Sequence, residues 1–302
     1  MTVASGSRAQ FAYVKEQTYG VTPMNPSFQI LPDSRNTVGL EKETFESERV
    51  RKDRQITDFR HGNRNVAGDI EFEFCRDNYD DFLEAALMGT WSNGVLKAGT
   101  TRRSFTLETL FDDIGQYKRS KGCEVNTFEL EVTPNGMVSG TFGIVGQDAG
   151  LDSSALSGSA YDEAPTTRVY DSFSGSIFVD SMEIGVVTEI SLSLENGIEN
   201  PAVVGRNTAI QGAPGRSNLT AEITAFFEDA TLFDHFDDED EVAIEFTLSD
   251  SVADYKFEMP RCKLNGGKPE VEDQREVSLT IPVQALRDAL EETQIIITKT
   301  EH

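Results

Sequence analysis

The sequence predicts a mainly β protein made of two tandem, duplicated β-sandwich or barrel domains, each with one short flanking helix. Three observations predict this fold class: apolar and polar residues alternate in several segments, a helical pattern interrupts them in each half, and the second half repeats the pattern of the first. At about 100–200 residues per domain, a chain of 302 residues is long enough for two domains.

Strands are predicted by four segments in which apolar residues occupy every second position, at 69–74, 127–132, 190–195 and 242–248. In the first segment Ile70, Phe72 and Phe74 share one face of the strand. Since this apolar face has to be buried, we expect the acids on the opposite face to be in water. These acids are Asp69, Glu71 and Glu73, and Glu222 takes the corresponding place in the second half.

A helix is predicted over Tyr79–Leu87, because its apolar residues recur at helical spacing and form a single stripe. Asn78 is placed to cap the start of this helix and Gly89 to end it. A weaker helical pattern stands at the corresponding place in the second half, with Leu232, Phe233 and Phe236 on one side.

The two halves align as an internal repeat. The alternating residues of 66–74 match 219–227 at an offset of 153, whereas 123–126 and 138–144 match 262–265 and 277–283 at an offset of 139. The difference of 14 residues corresponds to the loss of much of the loop 91–101 from the second half. We infer a tandem duplication with domains at 1–150 and 151–302. The boundary falls in a linker-like segment, 146–164, that is rich in Gly, Ser, Asp and Ala.

The charge of the chain excludes one large class of protein. With 27 Lys and Arg against 52 Asp and Glu, the net charge is −25, so the chain does not hold nucleic acid through a basic surface. The acids concentrate in the second half, since residues 1–150 carry a net charge of −5 and residues 151–302 a net charge of −20. No run approaches the roughly 18 apolar residues of a membrane span, and no membrane partner is expected.

No pattern indicates an enzyme, a cofactor or a bound metal. The three histidines stand outside any HExxH motif, and no GxSxG, GxGxxG or P-loop motif is present. The three cysteines form no CxxC pair, so we expect reduced thiols packed in the core. The acidic run 236–241 lacks the spacing of a calcium-binding loop and is expected to be a solvated turn. A hydrolase that uses two carboxylates stays open, because 52 acids always bring some pair together.

The stretch 41–65, within an arm of about 39–66, is dense in charges of both signs and poor in large apolar residues. Because it stands between two strands, we expect an extended arm or a long hairpin loop. Long ordered loops are usually functional, and mixed charges favour docking onto another protein. The candidate contact residues are Glu48, Arg49, Arg51, Asp53, Arg54, Asp58 and Arg60.

The segment 16–23, with the sequence EQTYGVTP, resembles the E-x-T-x-G-x-T-P start of tail tube (major tail) proteins from siphophages, the long-tailed bacteriophages with non-contractile tails. The resemblance continues to the predicted helix over about the first ninety residues, and reaches the second half only through the internal repeat. Its further residues are Ser47, Glu48, Arg49, Arg51, Lys52, Asp53, Arg54, Gln55, Asp58, Gly62, Val66, Ala67, Gly68, Met88 and Gly89. The second half departs from the pattern at the arm, because 197–214 is shorter, less charged and rich in Gly, Pro and Asn.

This resemblance implies a structural virion protein. Such domains are β-sandwiches that join side by side into rings, and the rings stack into the hollow tube through which the genome leaves the capsid. The implied partners are copies of the same chain and other tail proteins at the tube ends, whereas viral DNA passes without specific binding. The protein would be made in the bacterial host cytoplasm and end in the virion tail. Asp69, Glu71, Glu73 and Glu222 would line the lumen and repel the passing polyanion, and the arm would contact the adjacent ring.

If a ring needs six tube domains, three two-domain chains complete it with approximate sixfold symmetry. A hexamer, in which the second half forms another layer or an outer decoration, is the alternative. A different class of function also stays open, namely a β-sandwich recognition or adhesin module for a surface glycan or protein. That class predicts exposed aromatic residues gathered on one surface, and Trp91 is the candidate for it.

Overall fold

The computed structural model describes residues 3–31, 34–50, 52–163, 166–172, 176–180, 182–184, 187–227, 231–267, 269–270 and 276–302. The protein is mainly β, as the alternation predicts. After a short 3-10 helix at Gly6–Arg8, the elements up to the middle of the chain are β1 (Ala9–Lys15), β2 (Ser27–Leu31), β3 (Arg35–Asn36), β4 (Gly39–Glu46), β5 (Phe59–Glu73), α1 (Asp80–Ala86), β6 (Val95–Lys97), β7 (Phe105–Phe111), β8 (Gln116–Val132), β9 (Ser139–Gly146) and β10 (Asp148–Asp152). They are followed by β11 (Ala160–Asp162), β12 (Ser176–Val179), β13 (Met182–Glu183), β14 (Val187–Glu195), β15 (Asn218–Phe226), α2 (Thr231–Asp237), β16 (Glu241–Ser249), β17 (Ala253–Leu264), β18 (Pro269–Glu270), β19 (Ser278–Ala285) and β20 (Ile296–Glu301).

One antiparallel sheet, which we call the shared sheet, runs through both halves of the chain. Its strand order is β4–β5–β9–β8–β14–β15–β19, with β3 beside β5, and with β18 and the end of β17 beside β19. The halves meet where β8 pairs with β14, from Thr127 opposite Glu195 to Val132 opposite Ile190. Strand pairing therefore continues without a break from one half to the other.

Each half adds a second layer to the shared sheet. On the first half the order is β11–β2–β1–β7–β8–β10, where β11 comes from beyond residue 150 and only β11 and β2 are parallel. In the second half the order is β13–β12–β16–β17–β20–β6. The long strands β8 and β17 take part in both layers of their halves. Strand β6 comes from the first half and pairs with β20, so it ties the halves together a second time.

Aromatic side chains fill the space between α1 and the sheets of the first half. The rings of Phe82 and Phe105 stack at 4.8 Å, and those of Phe72 and Phe142 at 4.7 Å. Phe82, Phe105 and Phe142 are fully buried, and full burial of such a side chain stabilises the fold by about 1.5–3 kcal/mol. The apolar faces that the alternation predicts thus form one continuous core.

Helix α1 lies where the spacing predicts it, but its ends differ from the prediction. Tyr79 holds the position before the first helical residue, and the Asn78 side chain donates instead to Cys75 Sγ at 2.8 Å, so the prediction that Asn78 caps the helix is wrong. At the other end the left-handed residue is Met88, with φ of 49°, and not Gly89. A side chain at Gly89 would overlap the Lys97 carbonyl oxygen, so glycine is needed there for close approach of the backbones.

The described part of the segment 146–164, residues 146–163, contains the strands β10 and β11, although its composition is typical of a linker. Strand β10 pairs with β8, and β11 pairs with β2. Polar partners in the first half explain the difference, because Asp152 is 2.7 Å from Arg119 and the Tyr161 hydroxyl donates to Glu108. Small polar residues are compatible with an edge strand when such partners are present.

Strand pairing repeats between the halves in the same register. Ile70 faces Phe142 across β5 and β9, and their counterparts at offsets of 153 and 139, Ile223 and Ile281, face each other across β15 and β19. The register of strand pairing also shifts at the same place in both halves. In the pair β7–β8 the shift comes directly after the residue opposite Cys123, and in the pair β16–β17 it comes directly after the residue opposite Cys262. These shared registers support the domain division that is proposed below.

All three cysteine side chains are buried, and burial raises the pKa of the Cys262 thiol to about 12. Burial also raises the pKa of the Cys123 thiol. Neither of the two helices that the structure describes has the length and apolar character needed to cross a membrane.

Candidate functional site: an acidic sheet face and a projecting hairpin

One face of the shared sheet is lined by carboxylates. Asp69, Glu71 and Glu73 are exposed on β5, whereas Ile70 and Phe72 between them are buried against the core. The alternation along 69–74 therefore predicts the two faces of this strand correctly. Glu222 is exposed on β15, as its place in the repeat predicts.

Strand register carries this polar face across both halves. Proceeding from β5 through β9 and β8 to β14 and β15, each residue lies opposite the next, in two neighbouring rows. One row is Glu71, Thr141, Glu129, Ser193 and Thr220, and the other is Glu73, Ser139, Glu131, Ser191 and Glu222. Every residue in these rows is polar, so the face is continuous over the junction between the halves.

The face carries more acids than the candidates named from the sequence. Its exposed carboxylates, which we call the acidic face, are Asp69, Glu71, Glu73, Glu129, Glu131, Glu189, Glu195 and Glu222. Four of them, at 129, 131, 189 and 195, were missed as candidates, although the alternations at 127–132 and 190–195 contain the signal for three. Arg35 lies 3.2 Å from Glu71 at the end of the face. A surface with this excess of one sign repels polyanions such as DNA.

The predicted arm is a β-hairpin formed by β4 and the first part of β5. The last pair of the ladder is Glu46 opposite Phe59, and the Ser47 amide donates to the Asp58 carbonyl at 2.9 Å. Residues 48–50 and 52–57 lie beyond this pair, in the tip of the hairpin. Of the candidate contact residues, Arg51 lies outside the described residues, and the others are exposed: Glu48, Arg49, Asp53, Arg54, Asp58 and Arg60.

The hairpin also exposes large apolar side chains in addition to its charges. Phe45 and Phe59 are about half exposed near the end of the ladder, and Val50 and Ile56 are exposed in the tip. Apolar residues that are exposed together on a projecting element mark an interaction surface. Arg60 pairs with Asp58 at 3.3 Å, an exposed contact that adds little stability.

The base of the hairpin is fixed to both halves of the chain. The Arg64 guanidinium lies 2.8 Å from Asp148 and donates to the Ala149 carbonyl at 2.7 Å. The Arg64 amide donates to the Asn207 carbonyl at 2.8 Å, so the Gly- and Pro-rich segment 197–214 runs along this base. These contacts hold the base of the hairpin in place, and the tip extends beyond it.

The segment 16–23, on which the resemblance rests, is held by one carboxylate. Glu16 accepts hydrogen bonds from the amides of Gly20 and Gly122, at 2.7 and 3.0 Å, and from the hydroxyls of Ser104 and Thr106, at 2.7 and 2.8 Å. These bonds fasten the segment to β7 and β8. The motif therefore has a structural role in the first half.

Trp91 and the acidic run 236–241, the other candidates from the sequence, are parts of the folded framework. Trp91 is partly buried against the core, and its indole N–H donates to the Asp80 carbonyl at 3.3 Å, so it is not the exposed aromatic that an adhesin would present. The acidic run after α2 forms the turn that leads into β16. Within the described ranges, no group of three or more His, Cys, Asp or Glu residues is arranged to hold a metal ion.

Comparison with known proteins identifies the family. The comparison with curated proteins gives no match. A sequence profile described as phage tail tube protein matches residues 6–285, which is most of the chain and includes both halves. The mainly β fold agrees with this family. The chain belongs to the phage tail tube protein family.

Proposed function

We propose that this tail tube protein forms stacked rings of three chains whose joined sheets enclose the channel for genome delivery. The observation that carries the proposal is the pairing of β8 with β14, because it shows how one half of this chain extends the sheet of the other. The halves act as two tube modules, 1–150 and 151–302.

The same junction can form between chains. Strand β18 pairs with β19 at the positions that correspond, in the repeat, to those where Leu130 and Glu131 of β8 pair with β9. Strand β18 therefore corresponds to the part of β8 that pairs with β14. At the opposite edge, the pairing of 36–41 with β5 matches the pairing of 190–195 with β15. Among the described strands, β18 pairs only with β19 and β4 only with β5. Each chain therefore offers both sides of one more junction.

Ring size follows from the number of modules. A head-to-tail contact of this kind closes into a ring when its rotation allows. With six modules in a ring, three chains are needed, and modules with net charges of −5 and −20 alternate around the axis. A ring of six chains is the alternative.

The acidic face is proposed to line the channel. The opposite face of the shared sheet is buried under α1 and the second layers, so the acidic face is the one that a closed sheet can turn toward a lumen. Its carboxylates repel DNA, which keeps the passing genome from binding the wall.

The hairpin is proposed to contact the adjacent ring. Its exposed apolar residues and mixed charges fit another protein surface and not DNA, since the acids oppose phosphate. The tube ends would contact other tail proteins, and assembly would take place in the host cytoplasm before the tail joins the virion.

Electron microscopy of the purified chain tests the proposal. We expect hollow tubes whose rings have threefold symmetry with approximate sixfold features. Rings of six complete chains would show that the trimer is wrong, and globular particles at all concentrations would contradict the tube function.

A further inference from the structure

We infer that the exposed aromatic surface of Phe227, Phe233 and Phe236, beside and on α2, is a docking site for the first half of a second copy of this chain. The inference rests on the proposed ring and names the side chains through which one chain grips the next. It is argued from the contact that the two halves already make within one chain.

Phe227 is the counterpart of Phe74 at the offset of 153. The match includes the backbone, because the Phe74 amide donates to the Val138 carbonyl at 2.7 Å and the Phe227 amide donates to the Val277 carbonyl at 2.9 Å. Burial separates the two residues sharply: Phe74 is 1% exposed and Phe227 is 40% exposed. The same position is thus covered in one half and open in the other.

The second half of the chain is what covers Phe74. Its ring packs on Tyr255 and Phe257 of β17, with centroids 5.2 and 6.2 Å away. The Tyr255 hydroxyl donates to Asp80 at the start of α1 at 2.9 Å, and Lys299 of β20 pairs with the same carboxylate at 3.3 Å. An aromatic contact and an acid–base pair together join α1 of one module to the strands of the next.

Helix α2 also leaves aromatic rings exposed, whereas α1 is covered within its own half, where Phe82 packs on Tyr13, Phe105 and Phe142. Phe82 and Leu83 of α1 are fully buried, whereas Phe233 and Phe236 of α2 are 37% and 36% exposed. The rings of Phe233 and Phe236 meet edge to face at 6.3 Å. Partly exposed aromatic rings that are clustered in this way are typical of the buried centre of a protein interface.

The repeat also names the surface that would cover α2. Tyr255 and Phe257 correspond to Gln116 and Lys118 of β8 at the offset of 139, and both counterparts are partly buried in the single chain. Burial lowers the pKa of Lys118, and within the described residues no carboxylate forms an ion pair with it. The α2 segment offers exposed acids at Asp234, Asp237 and Asp238. The pairing of a helix acid with a strand lysine, as between Asp80 and Lys299, would thus recur between chains.

One difference between the halves makes the proposed contact the weaker of the two. In the first half the loop 91–101 carries β6, which pairs with β20, and Trp91, which packs beside α1. This loop is reduced in the second half, so the contact between chains lacks that strand.

Paired variants test the inference. In the double variant F227S/F233S both substitutions are at partly exposed positions, so we expect a folded chain, checked by circular dichroism, that no longer forms rings. Lys118→Glu should have the same effect from the other side of the contact. Leu290→Ser is the matched control, because Leu290 is also exposed and apolar but lies outside the docking surface. Tubes should form normally from it.

Mixing the two defective chains gives the sharper result. F227S/F233S keeps an intact β8 surface, and K118E keeps an intact α2 surface, so a mixture should give two-chain complexes and nothing larger. Light scattering measures this. If the wild-type chain forms tubes and F227S/F233S also forms normal tubes, the inference is wrong but the proposed function stands. The same conclusion holds if the mixture of the two variants stays monomeric. A wild-type chain that never forms rings would overturn the proposed function and the inference with it.

Cross-linking gives an independent measurement. Two variant chains are mixed, one with Phe227→Cys and the other with Lys118→Cys. They should form a disulfide-linked dimer within assembled tubes, because the counterparts of these residues, Phe74 and Phe257, are in contact. The native cysteines are buried and do not compete. The absence of the dimer in tubes that contain both chains would contradict the inference.

Discussion

Glu108 and Arg119 form an ion pair, 2.5 Å from Oε2 to Nε, whose side chains are only 1% and 3% exposed. Arg119 also pairs with Asp152 at 2.7 Å and donates to the Ser154 carbonyl at 2.8 Å. The Tyr161 hydroxyl donates to the other oxygen of Glu108. One buried pair on β7 and β8 thus holds the chain that leads from the first half toward the second.

Arg119→Met should destabilise the protein strongly, because it leaves the Glu108 carboxylate buried without its cation. Breaking one side of a buried pair costs about 3–5 kcal/mol. The free energy of unfolding in urea measures the effect. Arg8→Met is the matched control, since Arg8 pairs with Asp112 at 2.7 Å in an exposed position, where such a pair contributes about 1 kcal/mol or less. Equal losses for both variants would contradict the role assigned to Arg119.

Gly68→Ala should also destabilise the fold. Gly68 has φ of 140°, and a Cβ there would lie 2.7 Å from the Cα and N of Val38, which are backbone atoms that cannot turn aside. We expect a loss of about 1–3 kcal/mol in thermal or urea unfolding. In Gly150→Ala the added methyl meets nothing within 4 Å, and the stability should change by less than about 0.5 kcal/mol. An unchanged stability of Gly68→Ala would contradict the close backbone contact with Val38.

In the segments 69–74, 127–132, 190–195 and 242–248, alternation in the sequence is sufficient to predict which face of the strand is buried. Asp69, Glu71 and Glu73 are exposed for a purely local reason, because successive side chains of a strand point to opposite faces. The position of α1 is predictable for the same kind of reason, from the spacing of its apolar residues. Local periodicity depends on neighbours a few positions apart, and it survives in any tertiary context that buries one face.

Pairing between distant strands could not be predicted in this way. Nothing in the sequence around Glu129 or Ser193 indicates that these residues are opposite each other, since β8 and β14 are far apart in the chain. Asn78 illustrates the same limit, because its cap position was lost to a hydrogen bond with Cys75 that depends on the local fold. The strands at 148–152 and 160–162 were hidden because their partners, Arg119 and Glu108, belong to another segment.

Lysine at Asp69, Glu71 and Glu73 should leave assembly intact and change how the tube treats DNA. The three side chains are exposed and make no contribution to the core, so folding is expected to be normal. Positive charge on a channel wall attracts phosphate, and the attraction weakens as salt rises. Fluorescent double-stranded DNA should therefore be retained by tubes of this variant at low salt and released at high salt, while wild-type tubes retain none.

The control for this experiment carries the same change of charge elsewhere. Lysine at Glu163, Glu292 and Glu301, which are exposed and lie outside the acidic face, should leave DNA retention inside tubes unchanged. In phage particles, the variant at Asp69, Glu71 and Glu73 should eject DNA more slowly. Equal binding of DNA by both variants would indicate that the acidic face lies on the outer wall of the tube.

Removing the tip of the hairpin should separate ring formation from stacking. Because the Ser47 amide donates to the Asp58 carbonyl, residues 48–57 can be replaced by Asn-Gly, a two-residue turn, without loss of the ladder below. We expect soluble, folded chains that form single rings but no tubes, as measured by electron microscopy and sedimentation. A milder variant, V50S/I56S, removes only two exposed apolar side chains of the tip and should lower the yield and length of tubes. Wild-type tube length from the shortened hairpin would refute the contact with the adjacent ring, and loss of single rings would show that the hairpin acts within a ring instead.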